Sequence, residues 1–196
     1  MKITAEQLKS IFTKTPKDKL EAYALAFSIE FPQWGLTTPR RVAAFLGQIG
    51  WESGELRYDE ELRSKWNTSD PKDPTCPTGN LYENRKALGN YVPNDGPKFI
   101  GRGIIQLTGR ANYTKFGGLV GVDLIKNPER AKEPHTATKI ALAYWKDKGL
   151  NSHADAWNLD RITELVNGKA KLHLAERVAI SEKALKVLEG DKPNVG

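Results

Sequence analysis

Apolar residues along this chain recur at intervals of three and four, the spacing of one helix face, and almost nowhere alternate singly as a half-buried strand requires. Residues 4–14 carry Leu8, Ile11 and Phe12 behind Thr4, a residue suited to capping a helix N-terminus. A second helix is predicted over 17–30, with Leu20, Tyr23, Ala24 and Phe27 in register and an end near Pro32. Thr38-Pro39 opens a third: a capping hydroxyl, then proline at the first helical position. Its apolar side is Val42, Phe45, Leu46 and Ile49. Further helices are predicted at 135–148, 158–166 and 171–189, the last with Leu172, Ala175, Val178, Ala179, Leu185 and Leu188 on one stripe. Two stretches break the pattern: Asn67–Gly79, with three prolines, and Asn90–Gly103, rich in Gly, Pro and Asn. The chain therefore reads as mainly α with few short strands, and loops of this length in a compact domain characteristically line a functional cleft.

With 196 residues, 39% of them hydrophobic, the chain suits one globular domain with a real core. Cys76 is the only cysteine, so an internal disulfide is excluded and cysteine-based metal binding is disfavoured. His135, His153 and His173 lack the mutual spacing of a metal site, and no H-E-x-x-H is present; no cofactor is expected. No apolar run approaches the roughly 20 residues of a membrane span, and MKITAEQLKSIF lacks the apolar block of a cleaved leader. Thirty basic residues against 24 acidic ones give a formal charge of +6. That balance favours anionic partners (nucleic acid, acidic polysaccharide or lipid head groups), or else is a modest excess spread among interleaved acids for solubility.

Glu52 lies three residues after Ile49 and seven after Phe45, along the apolar stripe of the third helix and beside Trp51. A carboxyl there is partly desolvated, which favours the protonated form that a general acid needs; the other reading is a glutamate escaping to solvent as the helix frays at Gly54. Glu55, Asp59, Glu60 and Glu61 follow. Glu61 is nine residues on, a turn of about 900° in an unbroken helix, so it converges with Glu52 only if the helix breaks between them. Spacing alone does not choose among the four acids.

In GRGIIQLTGRANY, Gly101 to Tyr113, two glycines flank Arg102 and permit close backbone approach. If 102–108 is extended, Arg102, Ile104, Gln106 and Thr108 share one face, a strip suited to sugar hydroxyls or an ordered water, while Ile105 and Leu107 enter the core. A strand with its polar side in solvent has the same pattern. Trp34, Trp51, Trp66, Trp145 and Trp157 read as core residues before sugar platforms, with Trp66 the best platform. Lys171, Lys183, Lys186 and Lys192 near the C-terminus could touch an anionic polymer or simply be solvated.

FLGQIGWESGELRYDEELRSKWN resembles the catalytic helix of glycoside hydrolase family nineteen, which includes chitinases and lysozyme-like phage endolysins. YENRKALGN (Tyr82 to Asn90) is similar to a stretch of the bacterial and phage branch. GRGIIQLTGRANY, LVNG (Leu165 to Gly168) and ERVAISEKALKVL resemble later elements of the same family. Two positions depart from it: Trp51 stands where the family has histidine, and Lys169 where it has a second glycine.

The resemblance implies Glu52 as general acid, Glu61 as general base and Thr108 as the group positioning the attacking water. It implies Gln106, Asn112, Asn167, Arg102 and Tyr82 as substrate-binding, with Arg177 beside the carboxylates tuning them. The expected fold is mainly α, a lysozyme-like two-lobed helical domain with a central cleft, residues 1–196 forming one catalytic domain. The expected reaction is inverting hydrolysis of β-1,4 bonds in peptidoglycan glycan strands, in the manner of an endolysin, with chitin as the alternative substrate and a non-catalytic wall-binding module as the alternative class. Expected partners are glycan strands only, with no nucleic acid and no stable membrane insertion. The expected state is a monomer made in the host cytoplasm that reaches the wall through a separate pore.

Overall fold

The structure, a computed structural model, describes residues 1–190, so Lys192 lies outside the described residues. In chain order its α-helices are α1 (Ala5–Ile11), α2 (Lys17–Gln33), α3 (Pro39–Glu52), α4 (Asp95–Lys98), α5 (Arg110–Val120), α6 (Pro134–Asp147), α7 (Leu150–Asp155), α8 (Leu159–Asn167) and α9 (Leu174–Gly190). Two compact units are distinguished: Met1–Arg57 with the chain from Ala141 onward, and Tyr58–Ile140.

In the first unit the predicted caps form. Thr4 Oγ1 accepts from the Gln7 N–H while Gln7 Oε1 accepts from the Thr4 N–H, a reciprocal capping box. Thr38 Oγ1 accepts from the Arg41 N–H. Helix α2 runs through Pro32, past its predicted end. The stop is Gly35, at φ +77°, which lets the Leu36 N–H reach back to the Phe31 carbonyl and buries Leu36. One missing hydrogen bond in a final turn is cheaper than exposing Phe31, whose ring stacks on Phe27 at 4.9 Å and meets Phe45 edge-on at 5.7 Å. Trp145 closes that aromatic core against Phe45 at 5.4 Å.

Helix α3 is buried continuously from Val42 to Gly50. Gly47 makes this possible: a Cβ there would lie 2.7 Å from the Arg177 carbonyl and collide with the Ser181 hydroxyl on α9. The close approach of α3 and α9 puts Glu52, the last residue of α3, within reach of Arg177. Lys171 and Lys183 are engaged internally, on Asp160 and the Ile11 carbonyl.

The second unit is largely irregular, with a core of Phe99, Ile104, Leu107, Tyr113 and Phe116. Helix α5 was not anticipated by the periodicity, because Gly117-Gly118 dilutes its pattern. Yet its buried residues Tyr113, Phe116, Gly117 and Val120 follow helical spacing, and Asn90 Oδ1 accepts from the Arg110 N–H to cap it. The 67–79 segment is turn-rich: Asp70 and Asp73 bond the backbone two and three residues on, and Asn80 ties it to Ser69.

The extended strip expected over 102–108 does not form. The Arg102 and Leu107 backbones exchange hydrogen bonds, and Gly103 (φ +73°) and Gln106 (φ +52°) close a tight turn between them. The turn sends Ile104 into the core instead of onto a ligand face. Among the described residues, β pairing is limited to isolated bridges, Glu60 with Arg102 and Arg102 with Leu107.

Candidate active site

The bridge between Glu60 and Arg102 sorts the acids that spacing could not separate. The Glu61 N–H donates to the Gly101 carbonyl and the Gly103 N–H to the Asp59 carbonyl, so 59–61 runs antiparallel to 101–103. Side chains alternate along such a pairing. Glu60 goes to Arg102 at 2.8 Å and to Lys132, an ion-pair role. Glu55 pairs with Lys14. Glu61 instead meets neutral donors: the Gly101 N–H on Oε1 at 2.7 Å, and Asn67 Nδ2 and the Tyr82 hydroxyl on Oε2, both at 2.9 Å. Burial, the hydrogen bond to Glu61 and that carboxylate's charge push the Tyr82 phenol up to about 12, so it stays a donor across the ordinary pH range.

Around the same point, a Cβ on Gly101 would lie 2.9 Å from Gln106 Oε1, 3.2 Å from Thr108 Oγ1 and 3.4 Å from Glu61 Cβ. The missing side chain at 101 thus lets Glu61, the Gln106 amide and the Thr108 hydroxyl crowd around one point. Thr108 Oγ1 donates to the Gln106 carbonyl, and Asn112 Nδ2 to the Thr108 carbonyl.

In the first unit, Arg177, 1% exposed, donates from Nη2 to Glu52 Oε1 at 2.5 Å and from Nη1 to Gln48 Oε1 at 2.9 Å. Gln48 continues to Thr163 at 3.1 Å, and Arg177 Nε reaches the Leu172 carbonyl. Glu52 therefore does not sit in the purely apolar setting its position on the stripe suggested; a buried guanidinium meets it. Burial and the nearby charge of Glu52 raise the Tyr144 phenol, placing Tyr144 in the same neighbourhood. Trp51, which departs from the family's histidine, packs against His173 with ring centroids 4.4 Å apart and the planes tilted by 31°.

One of the expected substrate contacts is turned inward. Arg102, 5% exposed, spends its donors on Glu60, Glu129, the Tyr113 hydroxyl and the Lys98 carbonyl, so it holds the turn together and is not presented to a ligand. Arg177, expected beside the carboxylates, is a positioning group for Glu52. Tyr82 reaches Glu61, and Asn167 Oδ1 accepts from the Leu172 N–H at the end of α8. Sequence reading missed Asn67, Gln48, Thr163 and Tyr144. Asn67 is 2% exposed and bridges Glu61 to the Leu62 carbonyl, a role no periodicity announces. Of the tryptophans, Trp145 is core and Trp66 is 75% exposed, with Lys65 Nζ 4.8 Å from its ring. Among the described residues no group of His, Cys, Asp and Glu could hold a metal ion, and no helix is long and apolar enough to cross a membrane.

The sequence model of the family described as chitinase class I, glycoside hydrolase family 19, matches residues 22–158. A glycosyl hydrolase family 19 domain-containing protein of Haemophilus influenzae is 31% identical over 160 residues, 73% of this chain and 78% of its own. Chitinase 11 of Oryza sativa subsp. japonica is 32% identical over 122 residues, but this covers 59% of this chain and only 41% of the rice protein. Among solved structures, chitinase C of Streptomyces griseus superposes with a TM-score of 0.74 at 20% identity over 95% of this chain and 76% of its own, which identifies a shared, mainly helical fold. The chain thus belongs to glycoside hydrolase family 19, a family of chitinase-like enzymes that act on glycan polymers.

Proposed function

We propose that this protein hydrolyses the β-1,4 bonds of peptidoglycan by an inverting acid–base mechanism, in the manner of an endolysin. Glu52 protonates the leaving glycosidic oxygen, and Glu61 takes a proton from a water held by Thr108. Water attacks the anomeric carbon as the C–O bond breaks, so configuration inverts. Such chemistry calls for carboxyl groups roughly 6.5–9.5 Å apart, with water on the face opposite the leaving group. Gln106, Asn112 and Asn167 contact the glycan.

The observation that supports this most is the setting of Glu61: three neutral donors and, among the described residues, no cation, with Gln106 and Thr108 close by. The formal charge of +6 favours an anionic wall over neutral chitin. Chitin is the second reading, favoured by relatives named as chitinases.

The test is digestion of purified sacculi and of chitin oligomers, with mass spectrometry of products and NMR of the anomer first released. Muropeptides with the α-anomer appearing first, and a loss of several orders of magnitude in Glu52→Gln and Glu61→Gln while both stay folded, are expected. Near-normal activity in either variant, or β-anomer first, overturns the mechanism; activity on chitin alone overturns the substrate; binding without product release leaves a wall-binding module. For the lytic role, cytoplasmic expression should lyse cells only alongside a membrane pore.

A further inference from the structure

Beside α5 lies a groove of about 430 Å³ lined by Lys86, Tyr91, Arg110, Thr114 and Lys115, with Gly89 at its floor; none of its lining residues is acidic. Local sequence dictates its shape. Lys86–Leu88 makes a single 3-10 turn stopped by Gly89 at φ +68°, where a Cβ would lie 2.7 Å from that of Ala111. That contact lays the 86–91 segment along one face of α5, on which Ala111, Thr114 and Lys115 follow at three- and four-residue spacing. Arg110 is bound to Asp95 through two hydrogen bonds, at 2.5 and 2.7 Å, so its charge is matched. Lys86 has no carboxylate partner among the described residues, and the Tyr91 side chain, 66% exposed, offers a ring face beside it.

We infer that this groove is a binding site for a carboxylate-bearing peptide, namely the stem peptide attached to the glycan strand; this rests on the peptidoglycan reading above. Lys86 and Lys115 meet the carboxylates, and Tyr91, Ala87 and Ala111 meet the methyl groups of alanine residues between them. Such a stem alternates small apolar and anionic groups, which is what the lining offers in complement. The groove is joined to the Glu61 site by one side chain. Asn90 accepts from the Arg110 N–H at its edge and donates to the Tyr82 carbonyl at 2.8 Å, and Tyr82 donates to Glu61.

The test compares the unmutated protein with K86A/K115A on glycan strands carrying stem peptides, on strands stripped of them by an amidase, and on chitin oligomers. Two exposed charge pairs should be worth a roughly three- to tenfold rise in KM on the peptide-bearing strands, with kcat kept. No change is expected on the two peptide-free substrates. An equal effect on all three, or none, overturns the site. A second arm needs no hydrolysis: NMR titration with a soluble L-alanyl-D-glutamyl-diamino acid peptide should shift Tyr91 in the unmutated protein, less so in K86A/K115A, and less so at 0.3 M salt. If sacculi prove not to be a substrate while this peptide still binds through Lys86 and Lys115, the catalytic reading fails and the groove stands. No shift with the peptide, an equal shift with its amidated form, or tighter binding of a glycerol-phosphate polymer overturns the stem-peptide assignment.

Discussion

Arg177→Met tests the network that fixes Glu52. The substitution keeps a long side chain in a site only 1% exposed but removes every donor. Three acceptors lose a partner. The Leu172 carbonyl belongs to an exposed residue and rehydrates at little cost. Gln48 Oε1 is buried, on a residue 3% exposed, and an unsatisfied buried acceptor costs about 1–3 kcal/mol. Glu52, with 28% of its side chain exposed, loses a charge-assisted hydrogen bond worth about 1.5–3 kcal/mol but recovers part of it from water. The expected total is about 3 kcal/mol, or roughly 6–12 °C in Tm for a chain of this length. Urea and thermal melts followed by circular dichroism measure it. A companion variant isolates the cause: if the orphaned Gln48 carbonyl dominates, Gln48→Leu in the Arg177→Met background should restore about 1–2 kcal/mol, although alone it destabilises. A single variant within about 0.5 kcal/mol of the unmutated protein, or purely additive effects, would refute the reasoning.

Gly47→Ala should destabilise despite the better helix propensity of alanine. The propensity gain is about 1 kcal/mol, while displacing the Arg177 carbonyl of α9 costs typically 1–3 kcal/mol, and denaturant midpoints check the sign. Tyr82→Phe removes one of two donors from Glu61 Oε2 and should lower kcat by about ten- to a hundredfold on sacculi with the melt little changed. Because burial pushes the Tyr82 and Tyr113 phenols up to about 12, their contribution to stability is intact below about pH 10 and is lost as pH rises towards 12. Denaturation at pH 9 and 11.5 measures that loss, and Tyr82→Phe should reduce it. Asp95, held below the usual carboxylate range chiefly by its hydrogen bonds from Arg110, contributes stability above its ordinary pKa that disappears as pH falls through the lowered one. Asp95→Asn should flatten that acid limb.

The legible parts of the fold were those governed by local rules. Thr4, Thr38-Pro39 and the apolar stripes located the starts of the first three helices within a residue or two, and that of the last within three, because caps and periodicity act within one turn. Pro32 misled because tertiary burial of Phe31 outweighed a lost backbone bond, and the stop passed to Gly35. Arg102 misled for a related reason. Period-two alternation presumes a strand, and two residues with positive φ folded the segment into a turn whose interior needed a cation for Glu60 and Glu129. Among the site residues, the position of Glu52 at the end of α3 was readable from periodicity, whereas its partner Arg177 was expected only from the family resemblance. Arg177 lies 125 residues away, and only the Gly47 contact with α9 brings it close. Glu61 could not be chosen from the acidic run by spacing, since the choice depends on antiparallel pairing with 101–103.

The two glutamates are held by different kinds of donor, Glu61 by three neutral groups and Glu52 by a guanidinium. A carboxylate offers about four lone-pair positions. Glu61 has three of them filled, one on Oε1 by Gly101 and two on Oε2 by Asn67 and Tyr82, so the remaining acceptor position is on Oε1. A base so constrained can take a proton at one atom only, beside a backbone N–H that fixes its direction. Glu52 is pinned through Oε1 by Arg177, while Oε2 has no hydrogen-bond partner among the described residues. Oε2 is then the oxygen left open towards a glycosidic oxygen under the proposed mechanism. Anchoring one oxygen while leaving the other unengaged fixes the orientation of the carboxyl group. Replacing Arg177 would thus disturb the aim of Glu52 as well as the stability of the helix pair that carries it.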